Sequence, residues 1–177
     1  TLISAPVYAA KWADGRVAEG KTGANIWGMT FLGGYNNGWY NQLGGKMSLD
    51  YSPLDGLKLT AVVSPTLGFD KVKNFRLRVP YYAADDPTLY GGVLEGCSQT
   101  DLYETRNDNY RVTSQVLANY TKSFGSHNLN AMVGNENYYA FNENLGASRQ
   151  KYELTNYPYL DLGPLDLRGN NGSAYEN

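Results

Sequence analysis

The sequence predicts an all-β fold, an antiparallel meander, from three observations. Apolar and polar residues alternate with a period of two in segments 43–51, 57–64, 112–120 and 129–133. Gly, Asn, Asp and Pro recur too closely along the chain to allow long helices. The connections between the predicted strands are very unequal in length.

The first predicted hairpin joins segments 43–51 and 57–64 through a loop at Ser52–Gly56. This loop sets apolar residues opposite one another on one face and polar residues on the other, so pattern and turn agree. The predicted pairs are Tyr51 with Leu57, Leu49 with Leu59, Met47 with Ala61 and Asp50 with Lys58.

A second hairpin joins segments 112–120 and 129–133, with Thr121–Asn128 as its loop. It also specifies its own register, because apolar residues again meet on one face. The predicted pairs are Tyr120 with Leu129, Ala118 with Ala131 and Val116 with Val133.

The remaining segments alternate poorly. We expect Pro65–Arg111 to be a long connection with at most one strand pair, around Lys71–Val79. Ile26–Tyr40 is interpreted as a strand end followed by a loop. Tyr138–Asn177 is expected to finish in a loop at Asn170–Ser173.

Composition excludes several classes of protein. The formal charge is -2 and the 15 Lys and Arg residues are scattered, so no nucleic-acid-binding surface is indicated. No apolar run reaches the roughly 18–20 residues of a membrane helix. Cys97 is the single cysteine, so no internal disulfide forms. Without an initiating Met or signal peptide, the chain is expected to be a cut from a longer protein.

The alternation leaves two environments for the apolar face, a sandwich core or a lipid bilayer. Three features favour lipid: Tyr51 and Tyr120 lie beside the short turns, the opposite face is polar, and the predicted strands have roughly the 9–11 residues that cross a bilayer. Short turns at one end and long loops at the other are typical of outer-membrane barrels. We therefore expect part of a transmembrane β-barrel, with short periplasmic turns and long extracellular loops.

Three parts of the sequence carry a family resemblance. Leu117–Glu136 resembles a hairpin of TonB-dependent outer-membrane transporters of the SusC/RagA type. Leu49–Leu59 is similar to that family's periplasmic Tyr-x-Pro-x-x-Gly-Leu turn, and Ser4–Tyr8 with Asp14–Arg16 resembles the segment before it. The resemblance covers most of residues 1 to 141.

The resemblance implies an importer of glycans, peptides or other large nutrients in the bacterial outer membrane. It implies a SusD-like surface lipoprotein as partner, and the TonB complex as energy source through segments absent here. A barrel of about 22 strands is too large for 177 residues, so residues 1–177 are expected to be one segment of a barrel domain, without the plug and the remaining strands.

The polar faces of the predicted hairpins supply the candidate site residues. We expect a short set of side chains to face the lumen: Lys46, Asp50, Lys58, Gln115 and Glu136. Aromatic residues expected in loops are interpreted as candidate contacts to solute or partner: Trp27, Trp39, Tyr40, Tyr81 and Tyr82. The sequence predicts no catalytic residues, no metal site and no cofactor, hence no enzyme.

Two other interpretations remain open at this stage. One is a complete small outer-membrane barrel that acts as an adhesin or pore. The other is a soluble extracellular sandwich that binds carbohydrate, in which Leu49, Leu57 and Leu59 would be buried against a second sheet.

Overall fold

A computed structural model describes residues 7–86, 88–153, 155–166 and 168–176. It contains one α-helix, one short 3-10 helix and eight strands within those ranges. In chain order they are α1 (Ile26–Leu32), β1 (Gly34–Gly44), β2 (Met47–Leu54), β3 (Leu57–Arg76), β4 (Pro80–Tyr82), β5 (Tyr90–Val93), β6 (Asp101–Phe124), β7 (His127–Gln150), the 3-10 helix (Leu160–Leu162) and β8 (Arg168–Glu176).

One large sheet dominates the fold. Its strand order is β1-β3-β6-β7-β8, and β2 pairs with β3 beside β1. Strands β4 and β5 form a separate two-stranded sheet. The predicted all-β antiparallel character is confirmed, and in the described ranges β1 and β8 are outer strands of an open order.

The long strands contradict the prediction for Pro65–Arg111. Strand β3 has 20 residues and continues to Arg76, whereas β6 has 24 residues and begins at Asp101. The connection is therefore Leu77–Thr100, and it contains the β4-β5 hairpin. Sequence alternation does not reveal these extensions, because Pro65 and Gly68 interrupt it and charged residues occupy both faces beyond them.

The register of the first hairpin differs from the predicted one by two residues. Tyr51 pairs with Leu59 and Asp50 with Thr60, and the pairing shifts between Tyr51 and Leu54. The turn is tight, with Gly56 at φ 86°. This shift in register falls at residues that the sequence predicts to lie in the loop. A two-residue shift preserves the faces, so the apolar residues still lie on one side.

The second hairpin is also tighter than predicted. Phe124 ends β6 and His127 begins β7, with Gly125 at φ 63° in the turn. Ser123 Oγ donates to Asn128 Oδ1 at 2.7 Å, a cross-strand contact two residues away from the predicted register. Both turns use a glycine in the left-handed region, which allows a shorter loop than the hydrophobic pattern alone suggests.

Two further segments differ from the predictions. Residues 26–32 form a helix because Asn25 caps it, accepting a hydrogen bond from Gly28 N at 3.0 Å. Strand β1 follows directly, so Ile26–Tyr40 is helix and strand. The loop expected at Asn170–Ser173 is wrong, because this segment lies within β8, a polar strand that pairs with β7.

The described residues form two compact units. The first unit contains the residues up to Gly38, Lys71–Thr105 and Gly146–Asn171. The second unit contains Trp39–Asp70, Arg106–Leu145 and the residues from Gly172 onward. In the ranges listed above, no helix has the length and apolar character to span a membrane.

The first unit has a packed interior in two clusters. Val17, Val79, Leu94 and Cys97 form one, against which Trp27, Met29 and Tyr81 pack. Phe75, Leu102 and Tyr152 form the other, and the rings of Phe75 and Tyr152 meet edge to face at 5.9 Å. Burial raises the pKa of the Cys97 thiol, which keeps it protonated at neutral pH.

Candidate functional site: the two faces of the second unit

The apolar face of the second unit is exposed. Among the described residues of this unit, Val62 is the one buried hydrophobic residue. Leu49 is 71% exposed and Val116 is 59% exposed. The face also carries Leu43, Met47, Tyr51, Val63, Leu129 and Val133, all exposed.

This exposure contradicts the sandwich interpretation. That interpretation requires Leu49, Leu57 and Leu59 to be buried against a second sheet. Leu49 is exposed, and Leu57 and Leu59 are only partly covered. Within the described chain, the apolar face therefore has no protein layer that buries it.

Aromatic residues flank the apolar face at both ends. Tyr51 and Tyr120 lie near the two tight turns, as the sequence predicts. Alternation along the strands puts further aromatic residues on the same face at the other end, and the rings of Tyr110 and Tyr139 are 5.9 Å apart. In this second group Trp39, Phe69 and Tyr110 are exposed, and Tyr139 is partly buried.

The length of this apolar band is close to the thickness of a bilayer. On β3 it extends from Leu57 to Phe69, about 40 Å at a rise of about 3.3 Å per residue. Strands tilted by about 40–45°, as in transmembrane barrels, would reduce this span to about 30 Å, the thickness of the hydrocarbon core.

The opposite face of the second unit is polar and cross-linked. Asp50 accepts a hydrogen bond from Thr60 at 2.7 Å and pairs with Lys58 at 3.0 Å. Asp50 pairs directly with Thr60, so Lys58 is its diagonal neighbour and not its direct partner as predicted. Gln115 Nε2 donates to Glu136 Oε2 between β6 and β7.

The predicted lumen residues therefore lie in two contacting pairs and one separate position. The pairs are Asp50 with Lys58 and Gln115 with Glu136. Lys46 is exposed in the short break between β1 and β2. That these side chains face a lumen stays a prediction.

The candidate aromatic contacts do not all lie in loops. Trp39 and Tyr40 belong to β1, so their assignment to a loop is wrong, and Trp27 lies on α1, where Lys11 Nζ is 4.8 Å from its ring. Tyr81 and Tyr82 lie on β4, within the long connection.

Tyr81 and Tyr82 line an open pocket of about 470 Å³ in the first unit. Tyr8, Trp12 and Glu19 also line it, and Trp12 Nε1 donates to Tyr82 O at 2.8 Å. Sequence reasoning did not single out Trp12, because only the long-range bond to β4 brings it here. The Tyr81 ring lies against Gly91, where a Cβ would be 2.6 Å from Tyr81 Cε2.

No family model matches this sequence, and no match is found among curated proteins. The resemblance to SusC/RagA transporters therefore rests on the sequence strings given above.

Proposed function

We propose that this chain forms part of the barrel wall of an outer-membrane, TonB-dependent importer of glycans or other large nutrients. The observation that carries the proposal is the apolar band of the second unit, about 40 Å long on β3, exposed and flanked by aromatic residues at both ends.

Water is an unfavourable environment for that band. Exposed apolar area costs about 25 cal/mol per Å², and soluble monomers rarely expose contiguous apolar patches beyond a few hundred Å². A lipid bilayer removes the cost without a second protein layer. Aromatic residues at the borders, such as Tyr110 and Tyr139, suit the interfacial headgroup region.

The polar face suits a water-filled lumen. The Asp50–Lys58 pair has both side chains about half exposed, which costs little in water and would cost much in lipid. In this proposal one face of each strand meets lipid and the other meets water, which matches the residue pattern of a barrel wall. The proposed work of this chain is transport, with no bond chemistry.

The orientation and partners follow from the family resemblance. In this proposal the tight turns at Gly56 and Gly125 are periplasmic and the connection Leu77–Thr100 is extracellular. A SusD-like lipoprotein would cover the outer side. The TonB complex would act on a plug encoded outside residues 1–177.

The membrane part of the proposal is tested by the state of the purified chain. The full chain is prepared with and without detergent and analysed by light scattering and circular dichroism. We expect a β-rich monodisperse species in detergent and aggregation without it. A monodisperse monomer in plain buffer would contradict the proposal and favour a soluble binding protein.

The importer part is tested separately by the coding sequence on either side of residues 1–177. We expect a plug and a TonB-contacting segment upstream and further barrel strands. A start codon immediately before Thr1 and a stop codon immediately after Asn177 would contradict the importer and favour a complete small pore or adhesin.

A further inference from the structure

The open pocket of the first unit, here called the aromatic cavity, is lined by aromatic rings and a carboxylate. Its volume of about 470 Å³ lies within the usual range of small-molecule sites. Tyr8 and Trp12 line it from the segment before α1, and Tyr81 and Tyr82 line it from β4. Among the described residues of the lining, Glu19 is the one with a charged side chain.

Contacts to β4 and β5 hold two of these rings in place. Trp12 Nε1 donates a hydrogen bond to Tyr82 O at 2.8 Å, which ties the segment before α1 to β4. The ring of Tyr81 lies across two glycines, because a Cβ at Gly91 would be 2.6 Å from Cε2 of this ring and a Cβ at Gly92 would be 2.7 Å from its hydroxyl. A side chain at either glycine would displace the ring. The cavity therefore depends on glycines that leave room for an aromatic residue.

One ring of the cavity already attracts a cation of the chain. Arg16 Cζ is 5.7 Å from the centroid of the Tyr82 ring, within the range of a cation–π contact. Such contacts form because the face of an aromatic ring is electron-rich. In the described residues, no cation lies over the rings of Tyr8, Trp12 or Tyr81. These three rings are therefore available to a cation from outside the chain.

Glu19 gives the cavity a negative charge. Among the residues that the structure describes, no hydrogen bond or ion pair engages its carboxylate. Arg16, the nearby basic residue over Tyr82, pairs with Asp14, so its positive charge is offset. The carboxylate and the ring faces thus favour the same sign of charge in a ligand.

Backbone acceptors around the cavity are already in use. Three carbonyl oxygens of the lining accept hydrogen bonds from side chains of the same chain: Ala18 O from Asn25 Nδ2 at 2.7 Å, Tyr82 O from Trp12 Nε1 at 2.8 Å and Ala83 O from Arg16 Nη1 at 3.4 Å. A primary ammonium has three N–H donors that need acceptors. A quaternary ammonium has no N–H, and aromatic faces with a carboxylate suit it.

We propose that the aromatic cavity binds a small, free organic cation with a trimethylammonium group. Tyr8, Trp12 and Tyr81 provide the ring faces, and Glu19 provides the opposite charge. The proposal does not depend on the proposed function, because the whole cavity belongs to the first unit. Its chemistry is the same whether the second unit meets lipid or water.

The test is isothermal titration calorimetry of the full chain with choline, in dodecyl maltoside, a non-ionic detergent without an ammonium group. The matched probe is the neutral carbon analogue of choline, dimethylbutanol, in which a tert-butyl group replaces the trimethylammonium group. We expect choline to bind about tenfold more tightly, since the neutral probe keeps the apolar contacts and loses the electrostatic ones. Equal affinities, or no binding of choline, would overturn the proposal.

A third probe distinguishes a free cation from a lipid headgroup. Glycerophosphocholine carries the same cation beside a phosphodiester. Because Glu19 is negative and the described lining has no basic side chain, we expect this probe to bind more weakly than choline. Equal or tighter binding would overturn the assignment to a free cation and favour a phosphocholine headgroup.

A charge variant locates the site. Glu19→Gln keeps the size of the side chain, and we expect it to weaken choline binding about fivefold and leave dimethylbutanol binding unchanged. Glu95→Gln is the matched control, since Glu95 is exposed in the same unit and lies outside the cavity. Equal weakening of choline binding by the two variants would overturn the assignment to this cavity.

A ring variant tests the aromatic contribution. Tyr8 is 41% exposed, and Tyr8→Ala is expected to weaken choline binding about fivefold because one ring face is lost. Tyr157→Ala is its control, at a tyrosine of the same unit that is 62% exposed and lies outside the cavity. Circular dichroism verifies that all four variants fold. An unchanged choline affinity in Tyr8→Ala, or an equal loss in Tyr157→Ala, would contradict binding by the ring faces.

Discussion

The two units of this molecule differ in how far their apolar side chains are buried. In the first unit Leu94 and Leu102 are fully buried within protein clusters. In the second unit Leu49 and Val116 remain exposed, although the strands there are just as regular. The large sheet thus includes a region whose apolar residues are buried by other residues of the chain and a region whose apolar residues are exposed.

The difference shows what regular alternation does and does not specify. Alternation specifies a sheet with one apolar face, but it does not specify what packs against that face. In the first unit Leu160 packs on a cluster that includes Phe75 of β3 and Leu102 of β6. Trp27 and Met29 of α1 pack on a second cluster, formed by residues of the connecting segments. The second unit has no such layer in the described residues, which is the physical ground for assigning lipid to it.

The largest expected difference concerns leucine truncation. Leu102→Ala should lower the free energy of unfolding by about 2–5 kcal/mol, because it removes apolar contacts and leaves a cavity beside Phe75 and Tyr152. Leu49→Ala should cost about 1–2 kcal/mol, since lipid fills the space and only the transfer contribution is lost. Denaturant titration in lipid vesicles measures both. Equal losses would remove the contrast between the units.

A charge on the apolar band should be nearly as damaging. Val116→Arg is expected to cost about 2–4 kcal/mol in lipid vesicles, the range for a cation near the bilayer midplane on a barrel strand. Gln115→Arg, one residue earlier and on the polar face beside Glu136, is the control and should be close to neutral. If both substitutions are tolerated equally, the band does not lie in lipid.

Removing the carboxylate of an ion pair should also destabilise the first unit more than the second. Asp101 is buried and accepts hydrogen bonds from Arg76 Nε at 2.9 Å and a terminal nitrogen at 2.7 Å. Asp101 also raises the pKa of Arg76, above all through this hydrogen bonding. Asp101→Asn should cost about 1–2 kcal/mol, and Asp50→Asn should cost less, because both side chains of the second pair are exposed.

These two ion pairs are separated experimentally by salt. Raising the ionic strength should reduce the effect of Asp50→Asn and leave most of that of Asp101→Asn. Denaturant midpoints at low and high salt give the comparison. A larger salt effect at Asp101 would show that burial of its carboxylate does not protect the pair from salt, since the Arg76 side chain is 54% exposed.

The last expected effect is a dependence on alkaline pH in the first unit. Burial raises the pKa of Tyr152 to about 12, against an ordinary value of about 10. The neutral phenol is favoured when folded, so the stabilisation is complete below about pH 10 and is lost as the pH rises toward 12. Denaturant midpoints between pH 8 and 12 should fall for the wild type.

Tyr152→Phe removes this titration and one hydrogen bond, from the hydroxyl to Tyr159 O at 2.9 Å. We expect it to cost about 1 kcal/mol at neutral pH and to flatten the alkaline loss. An unchanged alkaline slope in the variant would assign the pH dependence to another tyrosine.

The sequence predicts the faces of the sheet well and the extent of its strands poorly. Period-two alternation assigns Leu49, Val116 and their neighbours to one side, and a two-residue error in register leaves that assignment intact. Strand ends and turn types depend on backbone details, such as the left-handed glycines at 56 and 125, that alternation does not record.

Long-range contacts account for what sequence reasoning missed at the candidate site. A polar cleft of about 310 Å³ is lined by Tyr40, Gly68 and Arg111, which come from three different strands, so no local motif marks it. The Gly and Asn residues around Tyr40 predict a loop, because they are typical of turns, yet pairing with β3 makes the segment a strand.

The central claim, that the apolar band of the second unit meets lipid, is tested most directly by fluorescence quenching at two adjacent positions. Val116→Cys and Gln115→Cys are prepared in a Cys97→Ala background, labelled with bimane and reconstituted in vesicles. Brominated lipid should quench the label at 116, and aqueous iodide should quench the label at 115. Quenching of both labels by iodide, with no effect of brominated lipid at 116, would contradict the account.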